Sequence, residues 1–272
     1  MIITLKDGSK KEYSEAKSVI DIAYDISEGL ARAACAGEVN GEVVDLRTVL
    51  DSDCELNILT AKDEKGLAVL RHTASHVLAQ AVQTLYPEAK VAIGPSIDTG
   101  FYYDFAHEPF SREDLDAIEK EMKKICKDGK RIIREEISKE EALDMFKDDP
   151  YKIDLISRMD DESTTISCYT QGDFTDLCRG PHMETVKSCK YFKLLKVSGA
   201  YWKNDKNNKM LQRIYGVCFT NEEDLNNYLQ ELEDAKNRDH RKIGKDLKIF
   251  MTNDLVGKGL PMYLPNGYII FE

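Results

Sequence analysis

Two histidines one helical turn apart, His72 and His76 in the segment LRHTASHVLAQAV, are the first residues whose type and spacing suggest chemistry. Residues 70–82 predict a helix, because apolar residues recur there every three or four positions. The apolar stripe consists of Ala74, Val77, Leu78, Ala81, Val82 and Leu85. At about 100° per residue, His76 lies about 200° from Ala74, so both histidines face away from the stripe. They look either into water or into a cleft.

A second group of candidate side chains, Asp176, Cys178 and His182, lies in DFTDLCRGPHMETV, where Gly180 and Pro181 predict a turn. The patterns H-x3-H and C-x3-H supply three imidazoles and one thiol, a donor set that suits tetrahedral zinc. Imidazoles also suit proton transfer near neutral pH. The sequence HTASH lacks the glutamate that a zinc protease uses as its base, which argues against a protease. A C-x3-H pattern also arises by chance in ordinary loops. Zinc binding, proton transfer and a chance pattern therefore all stay open.

The composition predicts a soluble globular protein, with 272 residues, 42% of them hydrophobic, and a pI near 5.1. No apolar run approaches the roughly 18 residues of a membrane span, so we expect no membrane association. The seven cysteines form no C-x-x-C motif, and the chain opens on a strand pattern without a charged leader. We therefore expect a cytoplasmic protein with reduced thiols.

Charge is unevenly distributed along the chain. The net charge of -11 argues against a general nucleic-acid-binding protein. The stretch from Lys187 to Arg213 nevertheless contains eight basic residues against the single acid Asp205, a local charge of +7. Aromatic residues that can stack on unpaired bases are interleaved with them, namely Tyr191, Phe192, Tyr201 and Trp202. The stretch is either a solvated face or a surface that contacts phosphates.

Residues 1–62 predict a small mixed sheet around one helix. IITLKDGSKKEY predicts two strands joined at an Asp-Gly turn, and Ser18 to Glu28 predicts an amphipathic helix with a serine N-cap. AACAGEVNGEVVDL and CELNILT predict further strands, and AKDEKG predicts a polar linker.

The remaining residues predict an α+β fold with an antiparallel sheet. Helices are expected from Ser111 to Gly129 and after the capping box of Ser138 and Glu141. STTISCYT, YFKLLKVSGAYW and MLQRIYGVCF predict strands joined by loops, which favours antiparallel pairing. TNEEDLNNYLQELEDAKNRDHRKIGKDL predicts one long helix. By residue type alone, Lys152 in PYKIDLIS is expected to be an ordinary solvated lysine.

Five segments together resemble the threonyl-tRNA synthetase family: LRHTASHVLAQAV, AIGPSIDTGFYYDF, DLCRGPHMETV, KLLKVSGAYWKNDKNNKMLQRIYGVCF and NRDHRKIGKDL. The resemblance implies a TGS domain of the ubiquitin-like β-grasp type at residues 1–62 and a tRNA editing domain at 63–224. It further implies a linker helix at 225–245 and the truncated start of a class II catalytic domain at 246–272. On this basis we expect the natural protein to continue.

The resemblance implies hydrolysis of seryl-tRNA(Thr), the mischarged product, at the tRNA 3′ end. Serine lacks only the methyl group of threonine, and one methyl discriminates by about 1 to 3 kcal/mol, too little for translation. An editing site sorts in the opposite sense, because it admits the smaller seryl group and excludes threonine by that methyl.

Carried over motif by motif, the catalytic residues are His72, His76, Lys152, Asp176, Cys178 and His182. In the resulting hypothesis His72 and Lys152 orient the water and the terminal ribose hydroxyl, and His182 moves protons. Asp176 then holds the seryl amino group, and Cys178 shapes the pocket. The residues expected at the tRNA 3′ end are Tyr102, Tyr103, Lys196 and Trp202.

The cofactors and partners are also implied by the resemblance. His72, His76, Cys178 and His182 resemble the zinc ligands of the related alanyl-tRNA synthetase editing domain, whereas the threonyl branch works without zinc here, so no cofactor is expected in this chain. ATP, magnesium, zinc and the family's homodimer interface belong to the catalytic domain. The expected partner is tRNA(Thr). Two alternatives remain: a tRNA-binding or regulatory module with idle editing residues, and a zinc-dependent hydrolase of the alanyl type.

Overall fold

The computed structural model describes residues 1–159, 166–253, 255–257 and 259–271. These residues divide into two compact units, Met1–Asn221 and Glu222–Glu272. The first three residues of the predicted strand STTISCYT, 163–165, lie outside the described residues. No helix within the described part of the chain is long and apolar enough to cross a bilayer.

Within the unit Met1–Asn221 we distinguish two domains. The first domain runs from β1 to β7 and forms the predicted mixed sheet. Its elements are β1 (Ile2–Leu5), β2 (Lys10–Glu12), β3 (Lys17–Ser18), α1 (Val19–Ile26), α2 (Glu28–Ala33), β4 (Ala34–Val39), β5 (Glu42–Val44), β6 (Val49–Leu50) and β7 (Cys54–Thr60). The five-stranded sheet has the order β2-β1-β7-β4-β5, in which only β1 and β7 are parallel. The helix expected from Ser18 to Glu28 is wrong at its end, because Ser27 adopts an extended conformation and its hydroxyl caps α2 by accepting from the Leu30 amide.

The second domain confirms the antiparallel α+β prediction. Its elements are α3 (Glu64–Leu85), β8 (Lys90–Val91), β9 (Ser96–Ile97), β10 (Gly100–Ala106), α4 (Arg112–Asp128), β11 (Ile132–Ile137), α5 (Lys139–Met145), α6 (Pro150–Ser157), β12 (Ile166–Gln171), β13 (Phe174–Leu177), a 3-10 helix (Val186–Cys189), β14 (Tyr191–Tyr201), a 3-10 turn (Trp202–Asn204) and β15 (Met210–Phe219). One sheet has the order β14-β15-β10-β8, with β9 also paired to β10, and the other has the order β11-β12-β13. Each strand pair in both sheets is antiparallel.

The histidine helix α3 lies at the centre of the second domain. Five members of the predicted stripe are fully buried, but Leu85 is 37% exposed, because it is the last residue of the helix. Burial also extends to the side that the sequence left undecided, where Thr73, Ser75 and His76 are buried. The reason is tertiary, since α3 packs against α4, β10 and the Val186–Cys189 helix at once. The histidines therefore line a cleft.

The helix starts predicted at Ser111 and Ser138 are confirmed, and each of them forms a capping box. In α4 the Ser111 hydroxyl accepts from the Asp114 amide, the Asp114 carboxylate accepts from the Ser111 amide, and Gly129 ends the helix with φ of 63°. Ser138 and Glu141 form the same reciprocal pair at the start of α5. Local sequence fixes these helix ends because both hydrogen-bond partners lie within one turn.

The unit Glu222–Glu272 contains α7 (Glu222–Asn237), α8 (His240–Asp246), β16 (Phe250–Thr252), β17 (Pro261–Tyr263) and α9 (Pro265–Phe271). The single long helix expected here is wrong. It breaks at Asp239, whose carboxylate accepts from the Arg241 amide and so caps a new helix. Apolar side chains such as Leu255 and Ile269 are 94% and 72% exposed.

Candidate functional site

Three separate elements bring the four zinc-type donors together. His72 and His76 project from one side of α3, whereas Cys178 follows β13 and His182 lies in the loop beyond it. One ligand atom from each of the four lies within 4.8 Å of the others. Cys178 Sγ is 3.3 Å from His72 Nε2 and 3.3 Å from His182 Nε2. The sequence prediction that the two motifs meet is thus matched by the geometry.

The hydrogen bonds around Thr73 define the tautomer of His182. The Thr73 hydroxyl donates its only proton to the Val69 carbonyl at 2.9 Å. It must therefore accept from its other two neighbours, the Met183 amide at 3.0 Å and His182 Nδ1 at 3.2 Å. With its proton on Nδ1, neutral His182 directs the lone pair of Nε2 at the sulfur of Cys178.

Burial keeps this cluster uncharged at neutral pH. Loss of solvation lowers the pKa of His72 to about 4 and that of His76 to about 3, although the charge of Asp176 opposes both shifts. Burial also places the pKa of His182 well below its usual range and raises the pKa of Cys178 to about 12. The protonated thiol can therefore donate to the Nε2 lone pair of His182, 3.3 Å from the sulfur.

A second network adjoins the cluster and contains Lys152. Lys152 Nζ forms an ion pair with Asp176 Oδ1 and also donates to the Ala92 carbonyl at 3.1 Å and to the Tyr103 hydroxyl at 3.3 Å. The Tyr103 hydroxyl donates to Asp176 Oδ2 at 2.5 Å, and His76 Nε2 lies 3.6 Å from the same oxygen. The expectation of a solvated Lys152 is wrong, because its side chain is 2% exposed. Burial is the largest influence on Asp176 and opposes its ionisation, but the charges of Lys152 and His76 and the hydrogen bonds from Lys152 and Tyr103 together lower the pKa of that carboxyl.

Both networks open onto one cavity of ≈ 820 Å³. Its polar floor consists of His72, His76, Lys152, Asp176, Cys178 and Tyr103, and its walls include apolar side chains such as Leu155 and Met159. His182 has no exposed surface and lies behind the sulfur, so it acts on a bound molecule only through its neighbours. Its burial therefore does not favour the direct proton transfer that we expected of it.

The four residues expected at the tRNA 3′ end do not all lie together. Tyr103 points into the cavity, whereas the neighbouring Tyr102 points to the other face of the sheet, since side chains alternate along β10. There its ring stacks under the Arg213 guanidinium at 3.9 Å, and Lys196 lies 5.0 Å from the nearby Tyr215 ring. Trp202 packs edge-on against Tyr151 with 5.0 Å between ring centroids. Of the four, only Tyr103 lines the cavity and contacts Asp176.

The basic stretch is partly neutralised by acids distant in sequence. Lys193 pairs with Glu119, Arg213 with Asp104 and Lys203 with Asp154. Arg213 and Asp104 make two parallel bonds of 2.7 and 2.8 Å across β10 and β15. Some of the charge that suggested phosphate binding therefore serves to join elements of the fold.

The four-donor cluster fits a zinc ion. A tetrahedral ion with bonds near 2.1 Å to nitrogen and 2.3 Å to sulfur separates its donors by about 3.4 to 3.7 Å. The two sulfur-to-nitrogen distances of 3.3 Å, with every donor atom inside 4.8 Å, are close to that arrangement. A lone pair on an Nε2 atom and a thiol able to lose its proton are the donors that zinc prefers.

Three residues that contact the His182 loop were not singled out by the sequence analysis. Thr73 lies inside the motif HTASH, where its position between the histidines was the only available signal. Asp45 and Arg47 lie in the first domain, and their contacts reach residues 132, 182, 183 and 184. Nothing local in the sequence marks contacts over such separations.

Comparisons with known proteins match one segment in the first domain and one in the second domain. A TGS domain model matches residues 1–60, and the model of the threonyl and alanyl tRNA synthetase second additional domain matches residues 166–215. Threonine–tRNA ligase of Clostridioides difficile (strain 630) is 54% identical over 268 residues, 97% of this chain and 42% of that protein. The threonine–tRNA ligase of Acetivibrio thermocellus is 52% identical over 271 residues, 98% of this chain and 42% of that protein. The chain thus spans less than half the length of these relatives.

Proposed function

Because this chain belongs to the threonyl-tRNA synthetase family and contains its TGS and second additional domains, we propose that its cavity hydrolyses mischarged seryl-tRNA(Thr). The observation that carries the proposal is the meeting of His72, Cys178, Lys152, Asp176 and Tyr103 on the floor of one cavity. Ligation of threonine to tRNA we assign to the part of the relatives outside the match, together with its need for ATP, magnesium and zinc.

The reaction adds water across the ester that joins serine to the terminal ribose. The water oxygen attacks the carbonyl carbon, the bond to the ribose oxygen breaks, and that oxygen receives a proton, so the products are serine and tRNA with a free hydroxyl. Such a step needs a positioned water, a group that accepts its proton, and stabilisation of the developing oxyanion.

His72 is the group that positions the water. Its side chain is only partly buried and lines the cavity, and with a pKa of about 4 it is neutral at pH 7 and offers a lone pair. His76 and His182 are more deeply buried and support it. Cys178 shapes the pocket and does not attack, since a thiol with a pKa of about 12 is protonated at neutral pH.

Lys152 and Asp176 act as one unit in this proposal. The three protons of the Lys152 ammonium have protein partners in Asp176, Ala92 and Tyr103, so its charge stabilises the oxyanion from a fixed position. Asp176 lines the cavity and has lone pairs to spare for the seryl ammonium group. The tRNA is the partner, and its 3′ end enters over Tyr103.

Zinc is the specific alternative, because the cluster fits it. His72, His76, Cys178 and His182 would hold the ion, and a bound zinc lowers the pKa of a water ligand to about 7. Four protein ligands would, however, complete the tetrahedron and leave no position for that water. We therefore propose hydrolysis without a metal cofactor.

The test is deacylation of seryl-tRNA(Thr) and threonyl-tRNA(Thr) by this chain, with and without a zinc chelator. Selective loss of serine that the chelator leaves unchanged, and that His72→Ala abolishes, would support the proposal. The matched control is His107→Ala, whose imidazole stacks on Phe110 at 4.5 Å and pairs with Glu88 away from the cavity.

Two other outcomes would contradict the proposal. Activity that the chelator removes would indicate a zinc-dependent hydrolase of the alanyl type. Retained tRNA binding without hydrolysis of either ester would indicate a tRNA-binding or regulatory module.

A further inference from the structure

Two side chains of the first domain, Asp45 and Arg47, reach the loop that carries Cys178 and His182. We infer that they are positioning residues for the hydrolytic site. The first domain then contributes to hydrolysis by fixing the position of this loop. The inference rests on the proposed function, because it assigns these residues to that reaction. They do not line the cavity that contains Lys152 and Asp176, and they act through the loop.

Both side chains project from a turn that is fixed in the first domain. Leu46, between them, is 1% exposed in the core of that domain, and its carbonyl accepts from the Ile20 amide at 2.9 Å. The Thr48 amide donates to the Asp45 carbonyl, and the Arg47 amide donates to Asp45 Oδ1, each at 3.0 Å. Asp45 and Arg47 are thus held on one rigid turn before they contact anything else.

Arg47 donates hydrogen bonds to backbone carbonyl groups in two segments of the second domain. Its Nη1 donates to Asp45 Oδ1 at 2.6 Å, which aligns the guanidinium. Its Nη2 lies 2.6 Å from the Ile132 carbonyl, 3.1 Å from the Met183 carbonyl and 3.3 Å from the Glu184 carbonyl. The planar guanidinium suits such divergent acceptors, whereas the ammonium of a lysine is a compact point charge.

Asp45 completes the hold on the catalytic loop. Its Oδ2 accepts from the His182 amide and from the Tyr169 hydroxyl, each at 3.4 Å. The Met183 amide donates to Thr73 on α3. The first domain therefore binds the His182 amide and the Met183 and Glu184 carbonyls, whereas α3 binds the Met183 amide.

The part of the loop that precedes His182 borders two cavities, whereas His182 and Met183 are buried. On one side lies the ≈ 820 Å³ cavity, lined by Cys178 and Arg179. On the other lies a second cavity of ≈ 780 Å³, lined by Arg179, Gly180, Pro181, Asp45 and Arg47. Residues 179–181 therefore lack close packing on either side, so the polar contacts of Asp45 and Arg47 with residues 182–184 are expected to fix the point at which this segment joins the buried His182.

The experiment compares Arg47→Lys, Arg47→Ala and Asp45→Asn in the whole chain by two measurements. The first is kcat and KM for hydrolysis of seryl-tRNA(Thr). The second is the ring-nitrogen NMR signal of His182 in histidine-labelled protein, which reports its tautomer without any substrate. Lys65→Ala is the matched control, because Lys65 pairs with Glu38 between the same two domains but touches no loop residue named here.

We expect folded Arg47 and Asp45 variants to lose about tenfold or more in kcat with little change in KM, because a displaced catalytic group lowers the rate more than binding. The His182 ring signals should change in the same variants, and Lys65→Ala should alter neither quantity. Arg47→Lys keeps the positive charge, so it tests the same contacts if Arg47→Ala fails to fold.

Unchanged kcat and unchanged His182 signals in folded Arg47→Lys and Asp45→Asn would overturn the inference. Equal losses in Lys65→Ala would also overturn it, since they would indicate a general dependence on domain contact. If the unaltered chain hydrolyses no aminoacyl ester, the proposed function fails, and the ring signals alone then decide whether these residues position His182.

Discussion

Thr73 Oγ1 lies 3.2 Å from His182 Nδ1 and accepts a hydrogen bond from the Nδ1–H group, because the Thr73 hydroxyl proton is already donated in a hydrogen bond to the Val69 carbonyl. One turn of α3 thus carries His72 and His76 and also Thr73, which orients the imidazole of His182. That relationship links helix geometry directly to the state of the site.

Thr73→Val should destabilise the chain and disorder the His182 ring, because it leaves two buried N–H groups, those of Met183 and His182 Nδ1, without an acceptor. We expect a loss of about 2 kcal/mol or more of unfolding free energy, measured by urea denaturation. Thr84→Val is the matched control, since Thr84 makes the same bond to the residue four positions earlier but is exposed. Equal losses in the two variants would show that the buried contacts of Thr73 contribute nothing.

Tyr103→Phe and Tyr102→Phe test adjacent residues on opposite faces of β10. Loss of the Tyr103 hydroxyl removes a 2.5 Å bond to the buried Asp176 carboxylate, which should cost about 1.5 to 3 kcal/mol of stability and lower hydrolysis. Tyr102→Phe keeps the ring under Arg213 and should stay within about 0.5 kcal/mol of the unaltered chain. Denaturation and deacylation assays on both variants check this, and a larger effect at Tyr102 would contradict the assignment.

Gly180→Ala should lower both stability and hydrolysis. Gly180 has φ of 69°, and an added Cβ would lie 2.0 Å from the Tyr169 hydroxyl, which bonds to Asp45. Gly8→Ala separates the two causes, because Gly8 has φ of 81° with nothing within 4 Å of an added Cβ. The control should show only the backbone cost of about 1 to 2 kcal/mol. If Gly180→Ala costs no more than Gly8→Ala in urea denaturation, then the loop moves freely away from Tyr169.

Stability should fall as the pH is lowered from about 6.5 to 4. The folded state holds the pKa of His72 near 4, below the usual 6.5, so between these values the unfolded chain binds more protons than the folded one. The unfolding free energy therefore rises with pH across this window, by on the order of 3 kcal/mol for His72 alone. The lowered pKa of Asp176 acts in the same direction at more acidic pH.

Urea denaturation at several pH values, in the presence of chelator, measures this slope. His72→Gln should reduce the slope between pH 4 and 6.5, because glutamine does not titrate, and the slope that remains reflects His76 and His182, whose pKa values are also lowered. An unchanged slope in that variant would mean that other groups carry the pH dependence.

The sequence alone determined the features whose causes are local. The capping boxes at Ser111 and Ser138 and the Asp-Gly turn each depend on residues within a few positions, and each appears as predicted. The resemblance of long motifs to a family also placed His72, His76, Cys178 and His182 in one site before any geometry was known. Where a local signal was overlooked, as at the caps Ser27 and Asp239, predicted helices ran too far.

Only the tertiary structure decided which sides of these elements meet. Lys152 looks like any surface lysine in sequence, yet Asp176, Tyr103 and Ala92 surround it in the fold. Tyr102 and Tyr103 are the same residue type one position apart, and only the pairing of β10 with its neighbours shows which ring enters the cavity. The hydrogen bonds of Asp45 and Arg47 to the His182 loop join residues 136 or 137 positions apart, and contacts at that separation leave no pattern in the local sequence.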